Sequence, residues 1–128
     1  MEYYFSKTLN VSYDEAVKLT TEALKSEGFG VITEINMHEK LKEKLGVDFK
    51  KYKILGACNP PYAYKALQAE DKIGIMLPCN VLVIEQGLNI IEVAAVNPIA
   101  SMQAITNPAL GDVALQVTDI LKNLIKAL

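Results

Sequence analysis

The sequence predicts an α+β fold: a mainly antiparallel sheet of about five strands with the helices packed on one face. Segments with the two-residue period of strands alternate with segments of helical period, in the order β-α-β-α-β-α-β-β-α. Two strands follow each other directly late in the chain, and a long helix comes after them. A hairpin followed by a helix favours an antiparallel sheet whose helices lie on one face.

The first strand and helix are marked by an alternating segment followed by a capping signal. Residues 3–9 alternate and are rich in β-forming side chains, so we expect a strand. Ser12 begins a helix, because Glu15 three residues later completes a capping box, and Gly28 ends it. One apolar stripe runs along this helix: Tyr13, Ala16, Val17, Thr20, Ala23 and Leu24.

The second and third strands enclose a short helix. Residues 29–35 predict the second strand. Asn36 and Glu39 repeat the capping signal for a helix that ends at Gly46. The apolar side of this helix carries Met37, Leu41 and Leu45. The third strand is expected at Tyr52–Cys58, where β-forming and apolar residues return.

A third helix and a hairpin follow. Asn59 precedes two prolines, and a good N-cap followed by proline in the first turn predicts a helix over Pro60–Ala69. Residues 81–85 and 90–96 predict the two strands of the hairpin, joined by a turn at residues 86–89.

Two further Asn-Pro pairs mark the end of the chain. Asn97-Pro98 predicts a short helix or turn, and Asn107-Pro108 opens the most strongly amphipathic helix in the chain. One broad apolar face of this helix is formed by Leu110, Val113, Ala114, Val117, Ile120, Leu121, Leu124 and Ile125.

The composition predicts one domain over residues 1–128 that folds without disulfides or a structural metal. Hydrophobic residues make up 51% of the chain, enough for a core in a protein of 128 residues. Residues 1–5 lack the basic and apolar regions of a signal peptide, and no apolar stretch reaches the ~20 residues that span a bilayer. We therefore expect reduced cysteines and a soluble, cytoplasmic protein without a membrane partner.

The basic residues are chemically uniform and unevenly spread. All 13 are lysine, and the formal net charge is −2. Arginine is the side chain that binds phosphate and guanine bidentately, so its absence argues against nucleic acid as a partner. Residues 40–53 contain six lysines and only two acidic residues. This run predicts a solvated face, with an anion-binding patch as the alternative.

Several segments resemble a known family. They are residues 28–31, 41–47, 55–60 and 73–81, and the last two contain Cys-Asn pairs. From about Ser6 onward the chain resembles the bacterial and archaeal family called domain of unknown function 302. The resemblance implies a small α+β domain related in shape to the TATA-binding-protein-like folds, and it implies a homodimer. It implies no catalytic residue, substrate or cofactor.

The two Cys-Asn pairs form the candidate site. Cys58-Asn59 lies where the third strand ends and a helix begins, and Cys79-Asn80 precedes the fourth strand. A thiol beside a helix N-terminus experiences the partial positive charge of unpaired N–H groups, which favours the thiolate. If the pairs meet, two amides and two thiols surround one spot, which suits a small polar ligand. Tyr62 is a candidate for the wall of that pocket.

Each candidate residue also has a purely structural interpretation. Free cysteines are frequently small buried apolar residues. Asn59 suits the N-cap of a helix, and Asn80 suits a turn. A metal site at His38, Cys58 and Cys79 is a weak alternative, because these residues lack the spacing of a closed zinc site.

The leading hypothesis is a small-ligand-binding homodimer with its pocket at the two Cys-Asn pairs. The first alternative is a thiol-dependent redox or sulfur-handling protein that uses Cys58 or Cys79. The second is a structural or interaction module without a pocket. The sequence contains no G-x-G-x-x-G, Walker or H-E-x-x-H motif. It therefore identifies no catalytic residue and no cofactor, and catalysis is not the expected role.

Overall fold

Five strands form one antiparallel sheet in the computed structural model, which describes residues 2–128. The strands are β1 (Tyr4–Leu9), β2 (Gly30–Asn36), β3 (Tyr52–Cys58), β4 (Cys79–Gly87) and β5 (Ile90–Val96). They lie in the order β1-β5-β4-β3-β2, and every neighbouring pair is antiparallel. The predicted antiparallel sheet of about five strands is confirmed.

Helices connect the strands in the predicted order. The α-helices are α1 (Tyr13–Ser26), α2 (Met37–Leu45), α3 (Pro60–Ala69), α4 (Pro98–Ser101) and α5 (Gly111–Ala127), and short 3₁₀ helices cover Asp71–Met76 and Pro108–Leu110. Ser12 caps α1 as predicted, because its hydroxyl accepts a hydrogen bond from the Glu15 N–H at 3.1 Å. Within residues 2–128, no helix is both long enough and apolar enough to span a membrane.

The main core lies between one face of the sheet and helices α1 and α5. Side chains alternate along a strand, so every second residue of a strand faces these helices. The sheet contributes Leu9, Leu55, Ala57, Cys79, Val81, Val83, Ile91, Val93 and Ala95, and the two helices contribute Tyr13, Ala16, Leu24, Val117, Leu121, Leu124 and Ile125. The apolar stripes predicted for the first and last helices are therefore the surfaces that these helices bury.

The opposite face of the sheet, which we call the outer face, lies away from this core. It is formed by the alternate residues Tyr4, Ser6, Thr8, Thr33, Ile35, Tyr52, Ile54, Gly56, Asn80, Leu82, Ile84, Glu92 and Ala94. None of them belongs to the hydrophobic clusters that pack beneath the helices of the described chain. The prediction that the helices pack on one face of the sheet is confirmed.

The structure differs from the prediction at both Cys-Asn pairs. Strand β4 begins at Cys79, two residues before its predicted start, because Cys79 and Asn80 pair with Ala57 and Gly56 of β3. Asn59 occupies the N-cap position of α3, but its side chain makes no capping hydrogen bond. The amide of Asn59 instead contacts the backbone just before β2.

Replacing Gly56 with alanine should destabilise the sheet. A Cβ at this position would lie 2.7 Å from Cγ of Pro78 and even closer to the Thr33 hydroxyl. Overpacking of this kind costs about 1–3 kcal/mol. Gly30→Ala is the matched control, since a Cβ there meets no atom within 4 Å. Equal free energies of unfolding for the two variants in urea titrations would contradict this description of the packing.

Candidate functional site

A cavity of about 310 Å³ opens between the ends of β3 and β4, helix α3 and the first half of α5. Fourteen of its seventeen lining residues are apolar or aromatic, and the other three are Cys58, Asn59 and Cys79. No charged side chain of the described residues contributes to the wall. The cavity is therefore an apolar site with a small polar corner.

The junction of β3 and α3 brings three of the predicted site residues to this cavity. Strand β3 ends at Cys58 and α3 begins at Pro60, because a proline cannot donate to a strand ladder but suits the first turn of a helix. Cys58, Asn59 and Tyr62 all line the cavity. The Cys58 side chain is half-buried, whereas Asn59 is only 9% exposed. The first Cys-Asn pair and Tyr62 thus share one apolar hollow.

Cys79 reaches the same cavity from the neighbouring strand. It pairs with Ala57 across the sheet, so its side chain lies on the face that the helices cover. Burial, with a smaller contribution from nearby Cys58, raises the pKa of the Cys79 thiol from 9.0 to about 11. At neutral pH the Cys79 thiol is therefore protonated and a poor nucleophile.

The side chain of Asn59 is held by the turn between α1 and β2. Its Nδ2 donates a hydrogen bond to the Glu27 carbonyl oxygen at 3.3 Å. Gly28 allows this approach, because it adopts a φ of +84° and a Cβ on it would lie 3.3 Å from that nitrogen. The amide therefore ties the start of α3 to the preceding turn while it lines the cavity.

Asn80 does not join the other candidate residues. It pairs with Gly56 in the sheet, and its exposed side chain lies on the outer face, away from the cavity. Neighbouring residues inside a strand point to opposite faces, and Asn80 accordingly faces away from the helices that Cys79 contacts. The expected pair of amides is not formed, and the polar corner contains one amide and two thiols.

His38 lies at the opposite end of the sheet from the two cysteines. Its Nδ1 accepts a hydrogen bond from the Tyr52 N–H at 2.9 Å, at the start of β3. Cys58 ends the same strand, and six residue steps of ~3.3 Å separate the two ends by about 20 Å. Within residues 2–128, no three His, Cys, Asp or Glu side chains group closely enough to hold a metal ion. The structure therefore does not bring His38 together with Cys58 and Cys79.

The wall opposite the cysteines was not predicted from the sequence. Val113, Ala114 and Val117 of α5 line the cavity, together with Met102 from the segment before that helix. The three α5 residues belong to an apolar stripe of ordinary core composition, and no motif marks any of the four as site residues. The one sequence signal for this wall is the small side chain of Ala114, which lies among larger residues of the stripe and leaves space there.

The fold and the cavity define a small α+β protein whose antiparallel sheet is covered by helices on one face, with an apolar site at one end of that layer. The chain belongs to the family described as Domain of unknown function DUF302, whose profile matches residues 5–128. The predicted membership is thereby confirmed.

A solved structure agrees with this assignment. The chain is similar to a protein described as an uncharacterized conserved protein DUF302 from Bacillus stearothermophilus, with 28% sequence identity and a TM-score of 0.90. The similarity covers 98% of each chain. A comparison with curated proteins finds no significant match.

Alkylation should reveal the suppressed reactivity of Cys79. In a Cys58→Ala variant, Cys79 is the one thiol of the chain, and its reaction with iodoacetamide should be slow at pH 7. The rate should rise about tenfold per pH unit to well above pH 9, because only the thiolate reacts and burial, the larger cause of the raised pKa, is retained in this variant. The Cys79→Ala variant is the matched control and reports Cys58 alone. A Cys79 rate that already levels off at pH 9, measured by mass spectrometry, would contradict the buried environment.

Proposed function

We propose that the protein binds one small, mainly apolar molecule in this cavity. The observation that carries the proposal is the wall, in which fourteen of seventeen residues are apolar and none of the described ones is charged. Sites for small molecules are concave and mainly apolar, with a few polar groups that fix the orientation of the ligand. Asn59 and the two thiols are such groups. This wall favours an apolar ligand over the small polar molecule expected from the sequence.

The volume and the mouth of the cavity support this proposal. An apolar cavity of about 150 Å³ accepts benzene, so about 310 Å³ accommodates roughly a dozen non-hydrogen atoms. Ile32 and Leu67 line the cavity while remaining 61% and 46% exposed. They put its mouth at the protein surface, so a ligand can enter without unfolding of the core.

The two alternative functions have less support. Thiol chemistry requires a thiolate, and the pKa of about 11 keeps Cys79 protonated at neutral pH. This leaves the half-buried Cys58 as the one candidate nucleophile of the pair. A structural module without a pocket does not match a chain that contains this cavity.

Filling the cavity should weaken binding of the ligand. Ala114 is buried and lines the cavity, so the side chain introduced by Ala114→Phe would occupy the volume of the ligand. A suitable probe is 2-methylnaphthalene, which has about the estimated size. We expect the wild-type protein to bind it with a Kd of about 10–100 μM and the variant to bind at least tenfold more weakly. Fluorescence titration of the probe measures both affinities.

Gln116→Phe is the matched control for this experiment. It introduces the same side chain at an exposed position of α5 that does not line the cavity, so its affinity should equal that of the wild-type protein. If all three proteins bind the probe with equal affinity, the probe does not bind in this cavity and the proposed site is contradicted. No binding to the wild-type protein would contradict the proposed function.

We also propose that the protein forms a homodimer through its outer face. One of the thirteen residues of this face is charged: Glu92, whose carboxylate accepts a hydrogen bond from Gln86 at 2.9 Å. Tyr4, Ile35, Ile54 and Leu82 give the face an aliphatic and aromatic surface. A sheet face that meets water is normally polar, so this composition favours a covered surface.

A second copy of the chain suits this surface in size and charge. Five strands about 4.8 Å apart and strands of seven residues at ~3.3 Å each give a face of roughly 550 Å². Two such faces bury about 1,100 Å², above the ~1,000 Å² that a specific interface needs. A two-fold dimer places the same surface on both sides, and a nearly uncharged face meets its copy without repulsion.

Leu82→Lys should dissociate this dimer. Leu82 lies on the central strand of the outer face, so the substitution places two positive charges close to the two-fold axis. Light scattering on a sizing column should show the mass falling from the dimer to the 14.1 kDa of the monomer. The matched control is Leu88→Lys, which adds the same charge at an 88% exposed position of the hairpin turn. A wild-type protein that is already monomeric, or a dimer that Leu82→Lys leaves intact, would contradict this interface.

A further inference from the structure

We infer that Asn59 recognises a hydrogen-bond donor on the ligand, so that the ligand is a mainly apolar molecule carrying one hydroxyl or N–H group. This inference rests on the proposed function, because it concerns the molecule that occupies the cavity. It goes further because it assigns to Asn59 the ability to distinguish two ligands of equal size that differ in one hydrogen-bond donor.

Apart from the thiols, Asn59 is the most buried hydrogen-bonding side chain in the wall. It is the one carboxamide among the lining residues of the described chain, and it is 9% exposed. The thiols of Cys58 and Cys79 are weak donors and weaker acceptors. A buried amide that lacks a partner costs about as much free energy as a lost hydrogen bond, so both ends of this amide need partners.

The nitrogen end of the amide already has its partner. Nδ2 donates to the Glu27 carbonyl oxygen, and the left-handed Gly28 brings that backbone close to the amide. The interaction fixes the orientation of the side chain, because a flipped amide would set its oxygen against the carbonyl oxygen of Glu27. The nitrogen is therefore not available to a ligand.

The oxygen end has no such partner. Oδ1 accepts no hydrogen bond from residues 2–128, where the one bond of this side chain is that of Nδ2. Among the described residues, the hydroxyls of Tyr13, Thr20 and Thr118 are unpartnered and sealed from solvent. Oδ1 of Asn59 is not one of these atoms, so a small molecule can reach it. Asn59 lines the cavity and its Nδ2 is bonded at the turn, so Oδ1 is the amide atom left to meet a ligand there. A carbonyl oxygen only accepts hydrogen bonds, so the matching ligand group is a donor.

The experiment compares two probes of equal size on two proteins. The probes 2-naphthol and 2-methylnaphthalene differ by a hydroxyl in place of a methyl group. Fluorescence titration gives the ratio of their affinities for the wild-type protein and for Asn59→Leu. Because the leucine cannot accept a hydrogen bond, the ratio in favour of 2-naphthol should fall about tenfold in the variant. Asn80→Leu makes the same chemical change on the outer face and should leave the ratio unchanged.

The outcomes separate this inference from the proposed function. If neither probe binds the wild-type protein, the proposed function fails. If both probes bind and Asn59→Leu leaves their ratio unchanged, the proposed function survives and the role of Asn59 is overturned. Retained binding of 2-methylnaphthalene by Asn59→Leu shows that the cavity still forms in the variant.

If Asn59→Leu does not fold, a comparison of two probes on the wild-type protein alone still tests the inference. The probe 2-methoxynaphthalene keeps the oxygen of 2-naphthol but lacks the donated hydrogen. With the proposed hydrogen bond, 2-naphthol should bind more tightly even though its hydroxyl is better hydrated in water. Equal or tighter binding of 2-methoxynaphthalene would overturn the inference.

Discussion

Burial of one face of the five-stranded sheet beneath α1 and α5 is the interaction on which the other features of this protein depend. Each fully buried aliphatic side chain contributes about 1.5–3 kcal/mol, and the sheet supplies a continuous set of them. A slip of one residue in any strand would turn that set toward solvent, so the register is strongly specified. The register in turn directs Cys79 toward the helices and Asn80 toward the outer face.

The cavity lies where this packing becomes thin. Ala57 on the sheet, Ala63 and Ala66 on α3 and Ala114 on α5 all line it, and their short side chains leave the space between the elements unfilled. Because the hollow opens to the surface, this gap in the packing leaves apolar side chains in contact with water unless a ligand covers them. A ligand would cover this apolar wall and could hydrogen-bond to its one anchored amide.

The proposed ligand site and the proposed dimer surface are compatible with each other. The outer face lies on one side of the sheet, and the helices that line the cavity lie on the other. Ile32 and Leu67 mark the mouth of the cavity, and neither belongs to the outer face. Covering the outer face with a second copy would therefore leave the entrance open, and occupancy of the cavity would not require the dimer to dissociate.

The sequence by itself determined the element order, most element boundaries, the fold class and the family. Periodicity, caps and prolines are local signals, and for this reason β3, α3 and β5 begin and end where they were predicted. The predicted site was less complete, because the three-dimensional structure brings Cys58, Asn59, Tyr62 and Cys79 to one cavity but leaves Asn80 outside it.

Only the tertiary structure decided which of these residues meet, and it added a wall from α5 that no motif indicated. Strand register and helix docking depend on contacts between residues far apart in the chain, such as the pairing of Ala57 with Cys79. Local patterns do not encode such contacts. For the same reason, the sequence did not show that His38 of α2 lies beside the start of β3, where it accepts a hydrogen bond from the backbone of Tyr52.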